Sequence, residues 1–576
     1  MPFSDLRTQL AQQIASRWQN PEITADWVNQ EFGFPPNPQL GHLALPCFKA
    51  GKLLGRPAGK VAQELASEFT SAGLTVTAAG PYANFRWAVG PLYNAIVAKV
   101  FEQKERYGSD DSGAGKRVLI EFCSPNIAKK LGVQHIRTTL LGNVLANIYE
   151  TLGYPTDRMN FVGDWGSQFA RLLAAVELWG DASVLSSTEL SKVMDHLFEL
   201  YVKFHQHAET DPSYVERASK CLQQLEDGDA KTTELWKKIR DLSLAAAERT
   251  LARLQVRFNL VEGESTYIPT IKTTLEEVKA RAGARLSEGA WIVDVEGIST
   301  PALVQKKDGT TLYLTRDIAA AVDRHERFKF HKMFYVVSEQ QKLHFQLLFG
   351  VLKKMGHAWA DRCEHLSFGT VLFGAEKMST REGRVIFLDS LLDEARERAL
   401  VECAKKNPNL ENKGAVAEMV GTGAVIFGDL SVNRQRDIEF NWDHVLAFDG
   451  ETGPYIQYSL VRCNSLLEKA AAKGLSAALT QAPEGYAFAE EEEALTLLIG
   501  RYRSILHGCV RDNDPVHLTR YLVDLAKGLN RFYYQLPVLQ ATDAQQIALR
   551  LSLVDATRQV LTNGLTLLGM GRPKEM

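Results

Sequence analysis

The sequence predicts an α/β protein built on a parallel sheet, with a small α+β region before it and an all-helical region after it. Three observations carry this reading. Residues 117–154 run strand, basic turn, helix; a polar small-residue stretch at 109–115 separates what precedes them; and from about residue 450 to the end the pattern is helical.

In the first of these, Val118, Leu119, Ile120 and Phe122 form a short apolar run bounded by turn residues, as a buried parallel strand should. Ser124-Pro125-Asn126 follows as a turn, then Lys129, Lys130 and Gly132. From His135 the pattern is helical: Ile136, Leu140, Leu141, Val144, Leu145, Ile148 and Leu152 share one stripe, and Gly153 supplies the C-cap. Strand, basic turn and helix N-terminus together make a nucleotide-phosphate site of the Rossmann type, where unpaired amides and the helix dipole face an anion. An ordinary βα unit of an α/β enzyme fits the same stretch.

Composition bounds the class. A chain of 576 residues, 45% hydrophobic and 23% charged, has room for three or four domains. A net charge of −3 argues neither for nor against nucleic acid, because a large enzyme can still carry a local basic face. Seven scattered cysteines without a CxxC pair or a nearby His cluster speak for reduced thiols and against zinc or a disulfide framework. The N-terminus opens with an amphipathic helix (Phe3, Leu6, Leu10, Ile14), not a signal peptide, and no apolar run is long enough to span a membrane. A cytoplasmic protein is expected.

Along the chain, helices are expected at 3–18, 59–72 and 91–106, with a strand pair around Gly80-Pro81 that continues through Tyr82, Asn84, Phe85 and Trp87. Ser109 to Gly115 reads as a linker. A second strand, Met159 to Val162, ends in Gly163-Asp164-Trp165-Gly166, at the strand end where open α/β sheets place ligands. Residues from about 181 are mostly helical and suit an insertion. Extended segments follow from Gly289 to Asp317 (AWIVDVE, PALVQKK, a turn at Asp308-Gly309, TLYLTRD). Phe334 to Val337 is a short strand leading into Glu339, Gln340, Gln341 and His344. A polar, basic loop at 376–383 precedes a helix from Leu388 to Val401.

The tail offers helices at 453–473, 487–510, 515–535 and 543–568, one of them opened by Glu490 to Glu493 as the dipole prefers. Arg501, Arg503, Arg511, Arg520 and Arg531, with Tyr502, Tyr521 and Tyr533, fit a basic aromatic nucleic-acid surface, and fit equally a solvated helical face over core tyrosines.

Taken in order, SPNIAKKLGVQH, GDWGSQF, QKKDGTTLYLTRDIA, EQQKLHF, EKMSTREG and AFDGETGPYIQY resemble the arginyl-tRNA synthetases, a family of class I aminoacyl-tRNA synthetases. AGPYANF is similar to that family's AGPGFIN element, so the resemblance covers nearly the whole chain. It implies a tRNA-contacting α+β domain at 1–110, a Rossmann-type catalytic domain at 111–449 with a helical insertion at about 181–285, and an all-α anticodon-binding domain at 450–576. The implied reaction has two steps: the arginine carboxylate attacks the α-phosphate of ATP, and the adenylate is transferred to the terminal ribose of tRNA. The first step generally needs bound tRNA. Neither step needs a protein nucleophile, so the site works by positioning and by stabilising phosphate charge.

The resemblance also assigns residues. Asp317, at the end of the TLYLTRD strand beside Tyr313, is similar to the guanidinium-binding aspartate, and Glu121 would be the second acid, since carboxylates match a guanidinium fork. Read without it, Asp317 caps a helix and Glu121 is a paired strand carboxylate. Asn126 and Gln341 resemble the groups that hold the substrate's amino end. Lys377 in Lys377-Met378-Ser379-Thr380 would place a mobile charge over the triphosphate, with Ser379 and Arg381 close by, and Thr380 stands where many class I enzymes carry a second lysine. His135 would donate to a phosphate oxygen. The family pattern His-x-Gly-His reads Gly132-Val133-Gln134-His135 here, so the first imidazole is missing; Lys129, Lys130 and the Gly132 amide could replace that donor. The altered signature makes a non-catalytic tRNA-binding paralogue the alternative. Asn84, Phe85, Tyr455, Tyr458 and Arg462 would contact tRNA. The implied ligands are tRNA, L-arginine and ATP, with Mg2+ bound mainly through the phosphates and no protein metal site; a monomer is expected.

Overall fold

Short apolar runs and helical stripes assemble in the computed structural model, which describes residues 3–35, 38–71, 73–127, 129–372, 386–541 and 543–576. The first region packs helices α1 (Phe3–Trp18), α2 (Ala25–Glu31), α3 (Phe48–Leu54), α4 (Ala58–Phe69) and α5 (Val89–Gln103) around strands β1 (Leu43–Pro46), β2 (Leu74–Ala79) and β3 (Tyr82–Trp87). The three strands form an antiparallel sheet in the order β1-β3-β2, and Gly80, at φ +58°, makes the tight turn between β2 and β3. Strand β1 and helices α2 and α3 are too short to leave a periodic signature.

The central region opens with β4 (Val118–Glu121), α6 (Ile136–Thr151) and β5 (Thr156–Val162). A helical block follows: α7 (Ser167–Trp179), α8 (Leu190–Thr210), α9 (Pro212–Glu226) and α10 (Ala230–Arg253). The chain then returns to the sheet as β6 (Leu260–Gly263), continues through α11 (Ile271–Arg281) and forms a separate antiparallel sheet from β7 (Arg285–Ser287), β8 (Ala290–Val293) and β9 (Ala302–Gln305). Next come α12 (Tyr313–Phe328), β10 (Lys332–Tyr335), α13 (Lys342–Lys354), β11 (Cys363–His365) and β12 (Val371–Leu372). The main sheet is five-stranded and wholly parallel in the order β11-β10-β4-β5-β6. After β4 the chain moves one way to β5 and later returns to the other side as β10. The strand order therefore reverses at β4/β10, the crevice where a doubly wound sheet binds its ligand.

Two sequence expectations change here. Strand β6 rejoins the sheet at residue 260, so the helical excursion runs from α7 to α10 and does not extend to 285. The segment TLYLTRD is not extended: from Tyr313 it is the first turns of α12. The alternation Leu312, Leu314 imitated a strand, but Leu314, Ile318 and Ala321 are buried at helical spacing, and the Thr315 hydroxyl donates 2.7 Å to the Val304 carbonyl. Asp317 therefore stands one turn after Tyr313 on a helix.

The last region comprises α14 (Leu388–Lys406), α15 (Lys413–Leu430), β13 (Ile438–Glu439), α16 (Trp442–Val445), α17 (Gly453–Ala471), α18 (Glu490–Asp512), α19 (Val516–Gln535) and α20 (Ala544–Leu567). Thr452 caps α17 by accepting from the Tyr455 amide at 3.3 Å. One continuous apolar core joins the N-terminal region, α6 and the terminal helices. The stretch read as a linker lies within this packing: Asp110 accepts from Arg503 Nε at 2.9 Å and from His507 at 2.7 Å, while the Gly113 amide donates 2.9 Å to Leu152 O. All seven cysteines are free and buried, and among the described residues no helix is long and apolar enough to cross a membrane.

Candidate active site and nucleic-acid surface

The signature turn is built by pairing with a segment far away in sequence. The Val133 amide donates 3.0 Å to Ile386 O, and Leu388 N donates 2.9 Å to Leu131 O. Residues 131–133 thus lie beside the chain that emerges from 373–385. Lys377, Met378, Ser379, Thr380 and Arg381 lie outside the described residues. His135 Nδ1 sits 3.2 Å from the Gly132 amide. The same nitrogen lies 3.2 Å from the Gly132 carbonyl, so the Gly132 backbone engages the δ side of the ring. Burial, with the positive charge of Lys129 adding to it, holds the imidazole pKa down at about 4, so the ring is neutral at pH 7. His135 is therefore a neutral imidazole at a helix start, held through Nδ1 by the Gly132 backbone.

The neighbours of His135 are arranged differently from the sequence reading. The Gly132 amide is used by His135, and the Lys130 ammonium pairs with Asp195 of α8 and lies 5.5 Å from the Phe387 ring centroid. Lys129 lies 5.8 Å over Tyr201 of α8. Both lysines reach the helical block, so they do not stand as spare donors for the missing imidazole. Gln134 is exposed, and its amide folds over Gly132: a Cβ there would come within 2.2 Å of Gln134 Oε1. Two residues on, the buried Arg137 donates to Gly369 O at 3.1 Å and to Arg436 O at 2.6 Å, with Asp429 of α15 at 3.2 Å. The signature helix is thereby tied both to the approach to β12 and to the terminal helices.

A second cluster lies at the carboxyl ends of β5 and β6. The Asp164 carboxylate accepts from Ser265 N at 2.9 Å and from its hydroxyl at 2.6 Å, which stitches the two strand ends together. Gly163 and Gly263 permit this approach, since a Cβ on Gly263 would fall 2.1 Å from Asp164 Oδ2 and one on Gly163 would fall 2.0 Å from Asn126 Oδ1. Next to Asp164 stands Glu264, which accepts from Arg316 Nη1 at 2.5 Å. The Arg316 guanidinium also lies 5.1 Å over the Tyr313 ring. Asp317 accepts from His344 Nε2 at 2.6 Å. Burial raises the Glu264 pKa to about 7; Arg316 opposes that rise, and the negative charges of Asp317 and Asp164 reinforce it.

The predicted arginine-site residues divide accordingly. Tyr313 and Asp317 lie one above the other on α12, beside the Arg316–Glu264 pair. Asn126 bridges to Gly163 at the end of β5, and Gln341 lies exposed after β10, one turn before His344, the partner of Asp317. Glu121 has another partner. It is buried in β4 and accepts from Arg324 Nη1 at 2.5 Å; Arg324 is itself 1% exposed. Its carboxylate is a paired strand carboxylate, sealed by an arginine of α12. The charge of Asp317 acts on Glu121 and also on a further acid, Glu264, which sequence reasoning missed because the stretch containing it was assigned to the helical insertion. A short strand, LVEG, running into Glu264 was the available signal.

The tRNA candidates divide as well. Asn84 and Phe85 are 3% and 0% exposed on the middle strand of the N-terminal sheet, Phe85 packing edge-on against Phe32. Neither side chain can meet a nucleic acid there; the exposed aromatic pair at that end of the sheet is Phe48 and Tyr82. On α17, Tyr455 accepts from Asn530 at 2.7 Å, and Arg462, also bonded to Asn530, lies 5.1 Å over Tyr458, 5.4 Å over Tyr533 and 5.9 Å over Tyr534. Of the other basic and aromatic residues, Tyr502 and Tyr521 are core, Arg501 lies partly buried 3.8 Å over Phe34, and Arg503 pairs with Asp5 and Asp110. Tyr533 alone among those tyrosines faces outward, with Asn530 and Tyr534 as partners the sequence did not single out.

Three family models match the chain: "Arginyl tRNA synthetase N terminal domain" over residues 4–87, "tRNA synthetases class I (R), catalytic domain" over 96–442, and "DALR anticodon binding domain" over 456–576. An arginine–tRNA ligase of Clostridium botulinum (strain Okra) is 38% identical over 575 residues, covering 99% of this chain and 100% of that protein. One from Clostridioides difficile is 39% identical over 557 residues, covering 96% and 97%. The solved arginyl-tRNA synthetase of Thermus thermophilus superposes with a TM-score of 0.81 at 26% identity, covering 95% of this chain and 96% of that one.

Proposed function

The chain belongs to the arginyl-tRNA synthetase family, and from that premise we propose how its residues divide the work. It is an arginine–tRNA ligase that joins L-arginine to tRNA at the expense of ATP.

In the proposed division, Asp317 and Glu264 hold the substrate guanidinium over the ring of Tyr313, and Asn126 and Gln341 hold its amino end. One observation carries this reading: two acids, Glu264 and Asp317, sit close enough for the charge of one to act on the other, beside the exposed ring of Tyr313. Glu121, paired with Arg324, supports the sheet beneath the pocket.

On the nucleotide side, His135 donates its Nε2–H to a phosphate oxygen from a helix start whose amides face the same anion. Because the ring is neutral, it offers a hydrogen bond and no full charge. Gly132 and Gln134 line the adenine side, and Lys377, Met378 and Ser379 complete the ATP site. ATP supplies the activated phosphate, and Mg2+ enters with it, held mainly by the phosphates. The protein acts by alignment and charge stabilisation, and activation is tRNA-dependent.

For tRNA, residues 1–110 meet the corner of the molecule, with Phe48 and Tyr82 as the exposed aromatics in place of Asn84 and Phe85. Residues 450–576 bind the anticodon stem-loop through Tyr455, Tyr458 and Arg462, and 111–449 is the catalytic domain. The enzyme works as a cytoplasmic monomer.

The test compares Glu264→Gln with Glu121→Gln in charging tRNA with radiolabelled arginine. Glu264→Gln is expected to raise the KM for arginine by roughly 100-fold, about 2.7 kcal/mol of lost charge-assisted pairing. Glu121→Gln is expected to lower stability with little change in KM. The reverse pattern would return the second-acid role to Glu121.

A further inference from the structure

The pocket that waits for a guanidinium already holds one. Arg316 reaches Glu264 through Nη1, lies over Tyr313, and has its Nη1 3.8 Å from where a Gly166 Cβ would be. Carboxylate, aromatic face and nearby backbone are the surroundings a free arginine side chain needs, and a planar fork is the group that fits them.

We propose that Arg316 is an internal surrogate for the substrate: in the unliganded enzyme its guanidinium occupies the place on Glu264 that L-arginine takes, and arginine binds by exchange with it. This rests on the reading of Glu264 as a substrate-binding acid.

Three features separate this pair from an ordinary structural bridge. First, it is reachable. The Arg316 and Glu264 side chains keep 15% and 14% exposure, whereas the neighbouring Arg324–Glu121 pair on the same helix is sealed at 1% and 7%. Second, it is incomplete. The buried Arg316 Nε has no acceptor among the described residues, so the fork is engaged through one arm and two parallel bonds are not made. A bidentate pair would be the stronger resting arrangement. Third, a second acid stands beside the pair: Asp317, the next residue along α12, is bonded to His344 through one oxygen. A guanidinium that takes the place on Glu264 has this acid beside it.

The consequence is selectivity by competition. A ligand must replace a fork that is already in place, and a point-charge ammonium such as lysine makes a poorer replacement than another guanidinium. A site without Arg316 would accept cations less critically.

The experiment measures L-arginine binding to the full chain by titration calorimetry, with L-lysine and guanidinium chloride as probes, in wild type, Arg316→Ala, Arg316→Gln and Glu264→Gln. Removing the surrogate is expected to tighten arginine binding by about tenfold, the factor by which a mostly occupied site weakens its ligand. Guanidinium ion should then bind the variant and compete with arginine, which it does poorly in wild type. Arg316→Gln keeps the aliphatic stem and ends in a neutral amide donor, and gives the same reading should Arg316→Ala not fold. If Arg316→Ala and Arg316→Gln loosen arginine binding, as Glu264→Gln does, Arg316 is a fixed support of Glu264 and the exchange is wrong. If Glu264→Gln leaves arginine binding unchanged, the assignment of Glu264 beneath the proposal falls instead.

Discussion

The acid pocket at the ends of β5 and β6 and the tyrosine cluster on α17 and α19 each hold an arginine against aromatic rings, but they surround it differently. In the pocket Arg316 faces one tyrosine and pairs with the Glu264 carboxylate, with Asp317 next along the helix. On the cluster Arg462 faces three tyrosines, bonds to the neutral Asn530, and has no carboxylate pair among the described residues. Tyr533 and Tyr534 remain 41% and 77% exposed. The same residue pair thus gives opposite surfaces. Where carboxylates are gathered in a partly buried cluster, the surroundings suit a cation. Where the positive charge is left over and the rings are open, the surface suits a stacked, anionic chain such as a nucleic acid.

The hardest test of this contrast is Asp317→Asn, which keeps the shape of the pocket and removes one charge. Asp317 is half-buried and already bonded to His344, so the loss is set at the low end for a broken buried pair, about 3 kcal/mol. It should appear as weaker arginine binding with tRNA affinity intact. Equilibrium titration with arginine and filter binding of tRNA separate the two. Near-native arginine affinity would show that the carboxylate cluster does not select the substrate.

A smaller effect is expected on the other side. Arg462→Ala removes the cation and the group on which Tyr458, Tyr533 and Tyr534 converge. The loss in tRNA affinity should be about 2 kcal/mol, the scale of one lost base–aromatic contact, with a shallower dependence on salt. Arginine binding in the absence of tRNA should not change. If it did, the pocket and the cluster would be coupled already in the unliganded chain, through the Arg137–Asp429 pair that links α6 to α15.

What was legible in the sequence follows the same division. The opening strand, the helix behind it and the four terminal helices announced themselves, because long periodic stripes and a Gly cap at Gly153 are local signals. The tail residues Tyr455, Tyr458 and Arg462 were found together because they are one or two turns apart on one helix. The pocket was only half legible. Asp317 and Tyr313 share a helix, but its amino-terminal alternation read as a strand. Glu264 belongs to a different strand end, and the pairing of Glu121 with Arg324 spans 203 residues. Burial was illegible in a third place: Asn84 and Phe85 lie mid-strand, where both faces of the sheet are covered, while Tyr82 at the start of the same strand stays exposed.

The smallest expected effect concerns the altered signature. Gly132→His restores the first imidazole of the family pattern, and backbone strain does not forbid it: Gly132 has φ −93° and ψ 165°, an extended conformation open to any residue. The obstacle is the Gln134 amide, 2.2 Å from the new Cβ position, which is the end of an exposed flexible side chain and can turn away. What the new imidazole would add is one ring at a site where His135 already presents a neutral imidazole, held through Nδ1 by the Gly132 backbone. What it would displace is the Gln134 amide lying over the same turn. The two changes oppose each other, so single-turnover adenylate formation with tRNA present should shift by less than about tenfold, about 1.4 kcal/mol, in either direction. A larger gain would mean that the native turn is an under-equipped phosphate site. The contrast would then have to be redrawn, with an intact nucleic-acid surface serving a weakened catalytic half.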